Sequence, residues 1–209
     1  MDNLNQVQQW LDYTKSISEY RLAIRANVRR LWLGEETIFA FYDGMNAAIT
    51  RHLTRAWAEG AAVCGIAENE LTADERKARE DFINGQFTFL PGFADAIEAN
   101  SKAAGGKLGP LFDRADRWVS QYDKAKSNAK AMACGDRKAK FILGPTEKHC
   151  RTCSGLNGRV YRYSVWVANG AVPPKNANFE CGAASYCDCR LEDTNDSITP
   201  GPFPRGLLR

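Results

Sequence analysis

Five of the seven cysteines fall in one stretch of about forty residues, as Cys150-Arg-Thr-Cys153, Cys181 and Cys187-Asp-Cys189. A C-x-x-C turn brings two thiolates to one side of a tight bend. A C-x-C segment does the same along an extended chain, where side chains repeat every two residues. Zinc is borderline soft and favours thiolates, and structural zinc sites are closed by four protein ligands. Cys150, Cys153, Cys187 and Cys189 form the preferred set, with Cys181 able to stand in for Cys187 and His149 for a thiolate. Gly155, just after the second ligand, is expected to allow a positive φ. Disulfides in a finally extracellular particle, or free thiols, are the other readings of the same cysteines. Cys64 and Cys134 lie apart in helical stripes and read as small buried hydrophobes.

Catalytic chemistry finds little footing. There are two histidines. His52 lies between Arg51 and Arg55 and reads as a surface residue; His149 adjoins a candidate ligand. The chain has no phosphate loop, no G-x-S-x-G and no H-E-x-x-H. A four-cysteine site has no open position for a water nucleophile. The expectation is a protein that is not an enzyme. Asp193 and Asp196 read as part of a solvated polar tail rather than a hard-ion site.

The chain has 209 residues, 44% hydrophobic and 25% charged, which is enough for a real core. No apolar run is long enough to span a bilayer, and the N-terminus has no secretory h-region. A reducing cytoplasm is therefore expected, where clustered cysteines bind metal more often than they pair. Net charge is +3. Between Lys124 and Arg162, ten basic residues stand against two acids. Lys124, Lys126, Lys130, Arg137, Lys138, Lys140 and Arg151 are thus candidates for contact with nucleic acid or an acidic protein surface. A solvated helix face is the bland alternative.

The elements that must carry these residues are mostly helical. Tyr20, Ile24, Val28, Leu31 and Trp32 follow a 3.6-residue period from Ile17 onward. Ile38, Phe41, Tyr42, Met45, Ile49, Leu53 and Trp57 give a second helix over 35–62, and Gly34 makes the pair an antiparallel hairpin. Thr72-x-x-Glu75 is a capping box opening a third helix that ends near Asn84-Gly85. Pro91 fits a first turn. Leu111, Ala115, Trp118, Val119, Tyr122, Ala125, Ala129 and Met132 mark a strong helix after Pro110. Phe141-Ile-Leu143 and Arg159–Val167 read as strands. The tail after Asp193, rich in Pro and Gly, reads as an extended arm for docking on a partner. The expected fold is mainly α. Residues 1–140 form a helical region, 141–192 a small β/loop zinc knuckle (α+β overall), and 193–209 the tail.

The order Cys150-x-x-Cys153, Leu156, Gly158, Pro173-Pro174 and Cys187-x-Cys189 resembles the signature of phage minor head proteins, the Mu F-like head morphogenesis family. The resemblance covers roughly residues 110–190. Two departures stand out. The family commonly has a histidine shortly before its C-x-C, where this chain has Cys181, and a basic middle residue, where this chain has Asp188.

The resemblance implies a structural and assembly component of the capsid interior, located in the virion and in host cytoplasm during assembly. Portal and capsid proteins are the implied partners, with packaged DNA met through non-specific phosphate contacts. No membrane is involved, and oligomer contacts are available on the hairpin and tail. A cytoplasmic zinc-ribbon module binding nucleic acid is the alternative, and a toxin-like transferase or nuclease the second.

Overall fold

The computed structural model describes residues 2–145, 148–174, 176–181 and 188–209, with side chains from Leu11 onward. The fold is mainly α, with a small antiparallel sheet in the C-terminal region. The chain divides into two compact units, Met1–Gly60 with Thr72–Ala129, and Ala61–Leu71 with Lys130–Arg209. The second unit therefore draws on residues 61–71 and 130–140, which the sequence reading assigns to the helical region.

The first unit is built from α1 (Asp2–Leu33), α2 (Ile38–Ala62), α3 (Ala73–Phe87), α4 (Leu90–Ala99) and α5 (Leu108–Gly135); the last residues of α2 and α5 belong to the second unit. Tyr20, Ile24 and Val28 of α1 are fully buried, as are Phe41, Met45, Ile49 and Leu53 of α2. Gly34, at φ +75°, turns the chain between α1 and α2. The two run antiparallel: Ser16 reaches Glu59, Tyr20 stacks on His52, and the side chain of Asn27 lies against Gly44. Thr72 and Glu75 form the expected capping box, and α3 runs on to Phe87, beyond Asn84-Gly85. Pro91 sits in the first turn of α4.

His52 is not a surface residue. It is 6% exposed and its ring stacks on Tyr20 at 4.9 Å. Arg51 and Arg55 are exposed; both lie to one side of His52 round the helix, at about 100° and 60° from it, which leaves the ring on the core side.

The second unit holds a three-stranded sheet in the order β2-β1-β3, with β1 at Lys138–Ile142, β2 at Val160–Arg162 and β3 at Arg190–Asp193. Both pairings are antiparallel; Ala139 lies opposite Tyr161 on one side and Asp193 on the other. The apolar run 159–167 is not one strand. It breaks after Arg162 into a short helix, α7 (Tyr163–Ala168). Asp136 explains the break: its carboxylate accepts the Ser164 N–H at 2.9 Å and the Ser164 hydroxyl at 2.6 Å. Helical spacing then carries Trp166 into the core, where its Nε1 donates to the Ala139 carbonyl at 3.0 Å. Met132 is 37% exposed, and the inward place on that last turn of α5 goes to Ala133.

The tail is not a free arm. Ile198, Phe203, Leu207 and Leu208 pack on the core of the second unit, around Phe141, Tyr161, Trp166 and Phe179. Residues Arg205–Leu207 form a 3-10 turn. Asp193 and Asp196 are exposed, as the sequence reading has them, and form surface pairs with Arg137 at 2.9 Å and Lys140 at 3.0 Å.

Cys64 and Cys134 are not buried hydrophobes but a disulfide, with Cα atoms 5.3 Å apart. Cys64 lies in the turn that ends α2, and Cys134 in the last turn of α5. Seventy residues of chain separate them, and no local pattern reports such a pairing.

Candidate metal centre

Cys150 caps the N-terminus of α6 (Arg151–Leu156), its Sγ accepting the Cys153 N–H at 3.4 Å. The C-x-x-C turn is thus the first turn of a helix, which places both sulfurs at its start. Gly155 lies inside α6, so no positive φ arises there; the left-handed residue is Gly158, at φ +77°, just past the helix. What Gly155 supplies is a close approach. A β-carbon on it would meet Leu207 at 2.7 Å.

Cys181 is brought to this turn by the residues before it. Phe179 is fully buried and packs against Phe141. Glu180 then accepts the Arg151 N–H at 2.8 Å, while the Glu180 N–H donates to the Thr152 hydroxyl at 3.1 Å. That hydroxyl in turn donates to the Leu207 carbonyl at 2.6 Å. The loop from Gly170 to Phe179 contains the cis Pro173-Pro174 bond and is held by Asn176 and Asn178, whose amides both donate to the Gly170 carbonyl at 2.9 Å.

The sulfurs of Cys150, Cys153 and Cys181 lie within 4.8 Å of one another. Cys189, 2% exposed, immediately precedes β3 and interacts with Cys153. A close approach of Gly144 to the Asp188 backbone, 2.6 Å for a β-carbon placed there, positions Cys189 beside β1. Cys150, Cys153, Cys181 and Cys189 therefore lie close together and can bind a metal ion. Cys187, in the preferred set from the sequence, lies outside the described residues. Cys181, the substitute, is in the cluster. His149, half-buried, is not part of the three-sulfur group.

The crowding of the thiols shifts their ionisation in opposite directions. Burial pushes the Cys153 thiol far up, and the neighbouring Cys150 and Cys189 sulfurs push it further. Burial also acts to raise Cys150, but the Cys153 and Cys181 backbone N–H groups, with the thiols of the same two residues, outweigh it and bring Cys150 below the ordinary thiol range. Thiols crowded into a half-buried space cannot all ionise unless a positive ion supplies the counter-charge.

The basic candidates are distributed differently. Lys138 is 2% exposed and its Nζ bonds Glu70 at 3.2 Å, so it is not a surface contact. Its place on β1 turns it inward, against the strap 61–71. Arg137 and Lys140 pair with the acids of the tail, and Lys126 with Glu59 at 3.3 Å. Lys124, Lys130 and Arg151 are exposed. Glu70, which the sequence did not single out, is the hub of this side of the second unit. It accepts from Lys138, from the Ile198 N–H at 2.8 Å and, through its carbonyl, from Arg162 at 3.4 Å.

Comparison with protein-family models, with curated proteins and with solved structures finds no match to this chain. No helix of the described residues is long and apolar enough to cross a membrane.

Proposed function

We propose that this chain is a minor head, or head morphogenesis, protein of a phage or prophage, a structural and assembly component of the capsid interior whose second unit is stapled by zinc. The observation that carries the reading is that the family-like order of residues coincides with one small module. Cys150 and Cys153 open α6, Leu156 is buried at its end, Gly158 makes the turn into β2, Pro173-Pro174 shapes the loop, and Cys189 leads into β3. Four sulfur donors favour zinc over a hard ion and leave no open coordination position. The role is accordingly read as scaffolding, with portal and capsid proteins as partners.

DNA contact, in this reading, falls to the exposed Lys124, Lys130 and Arg151, since the other cations of the stretch are engaged within the chain. The contacts would be with phosphates and independent of base sequence.

Mass spectrometry of purified phage particles and of their capsid precursors from the producing strain tests the proposal. The chain is expected in both, captured with portal subunits, with one zinc per chain by elemental analysis. Its absence from particles and precursors alike would sink the head-protein reading. Purified chain that is metal-free, with every cluster thiol reactive, would sink the zinc assignment.

A further inference from the structure

The Cys64–Cys134 disulfide lies at a cavity of about 360 Å³ in the second unit. Cys64 is among the residues lining it, together with Arg137, Lys138, Asp193, Thr194 and Asn195, and Cys134 is not. Both cysteines are half-buried, and it is Cys64 that an incoming group in the cavity meets.

The two cations on the wall are unequal. Lys138 is committed, its Nζ bonded to Glu70 and to the Asn195 carbonyl. Arg137 is paired with Asp193, but both side chains are 67% exposed. Such a surface pair is worth little and yields readily to a competing carboxylate. The cavity thus offers a disulfide sulfur and, beside it, a guanidinium suited to a carboxylate.

We propose that the Cys64–Cys134 disulfide is a thiol–disulfide exchange site for a low-molecular-weight thiol bearing a carboxylate, with Cys64 as the sulfur attacked. The ligand's thiolate forms a new S–S bond to Cys64 Sγ. The bond to Cys134 breaks, its electron pair leaves on Cys134 Sγ, and that thiolate takes up a proton. A second ligand thiol attacking the mixed disulfide releases the ligand as its own disulfide and leaves Cys64 and Cys134 reduced. Access and the identity of the attacked sulfur govern such reactions. Cys150, Cys153, Cys181 and Cys189 are thiols, not a disulfide. A reduced ligand has no bond to exchange there, so among the described residues the reaction is confined to Cys64 and Cys134.

The test uses the full metal-loaded chain with its disulfide intact. It is incubated with a glutathione-type tripeptide thiol or with cysteamine, acid-quenched, and mapped by peptide mass spectrometry. The adduct is expected on Cys64, with Cys134 newly alkylatable. The tripeptide should react several-fold faster than cysteamine at equal thiolate concentration. Arg137→Gln should abolish that advantage, and Asp193→Asn, which frees Arg137, should increase it. An adduct on Cys134, no adduct at all, or an advantage unchanged in both variants would overturn the proposal.

Discussion

The Nζ of Lys138 lies 3.2 Å from Glu70 Oε2 and 3.3 Å from the Asn195 carbonyl oxygen, with only 2% of the side chain exposed. A cation in the most basic stretch of the chain is thus a structural pin between β1, the strap 61–71 and the tail. Removing one partner of a buried ion pair leaves the other charge uncompensated, which costs about 3–5 kcal/mol. Lys138→Ala is expected to destabilise the second unit by that amount, whereas Lys124→Ala stays within about 0.5 kcal/mol. Amide hydrogen exchange in β1, compared with α1, measures both. Equal protection of β1 in Lys138→Ala and wild type would refute the assignment.

Cys153→Ser and Cys181→Ser are each expected to lower metal retention and to loosen the second unit, leaving helix exchange in the first unit unchanged. Site formation and folding are coupled in small thiolate sites, so chelation at neutral pH should reproduce the mutant exchange pattern. Acidification should release the metal as well, since the ligands must be deprotonated. Titration of the purified variants with zinc, read by elemental analysis and thiol alkylation, decides it. Wild-type metal content in both variants would remove Cys153 and Cys181 from the ligand set.

Burial, reinforced by Arg51 and Arg55 and opposed by Glu19, holds His52 below the ordinary imidazole range. A histidine whose folded value is depressed binds fewer protons folded than unfolded. Its stabilising contribution is therefore full above about pH 6.5 and falls as pH drops from there toward the lower folded value. His52→Phe should flatten this part of the pH profile, with the stacking on Tyr20 kept. Urea midpoints of the first unit at a series of pH values from 5 to 8 (about the histidine range) provide the measurement. A variant with the wild-type slope would show that another group titrates.

A β-carbon on Gly60 would fall 2.2 Å from the Lys126 carbonyl oxygen and 2.8 Å from the Ala129 β-carbon. Backbone cannot swing aside as a side chain can, so α2 and α5 must separate. Gly60→Ala is expected to cost about 1–3 kcal/mol, the usual range for overpacking. Gly92→Ala, where nothing lies within 4 Å, is the control. The better intrinsic helix propensity of alanine would make Gly92→Ala neutral or slightly stabilising. Thermal unfolding of the pair is sufficient to rank them.

The helices were legible because burial repeats at their own period: Tyr20, Ile24 and Val28, then Met45, Ile49 and Leu53, are fully buried as the pattern requires. Thr72 and Glu75 declared their cap within four residues. Pairings across long separations were not legible. Cys64 with Cys134, Glu70 with Lys138, and Leu207 with Thr152 are joined only by tertiary closure. The strand read over 159–167 is real only at Val160–Arg162, and its second half is helical for a related reason. β-propensity reflects the surface a side chain packs on, and the Asp136 contacts that start α7 come from a different segment. Most of the cysteine cluster was legible: Cys150 and Cys153 announce themselves by their C-x-x-C spacing and Cys189 by its C-x-C, while Cys181, read only as a substitute, is delivered by Phe179 and Glu180 binding to the core and to α6.

Leu207 packs beside Gly155, and its carbonyl oxygen takes the Thr152 hydroxyl, which sets an order of events on the ribosome. All residues of the first unit have been synthesised once Ala129 is made, although the strap 61–71 within that span belongs to the second unit and must wait. Since Leu207 packs on the core of the second unit, that unit is expected to close only after its last turn, Arg205–Leu207, has left the exit tunnel. Domains generally fold as units during synthesis, N-terminal first. Chains stalled well past Ala129 but short of the tail should carry a protease-resistant helical unit and an exchange-labile β1. Protection of β1 in such stalled chains would show that the tail is not needed to close the sheet.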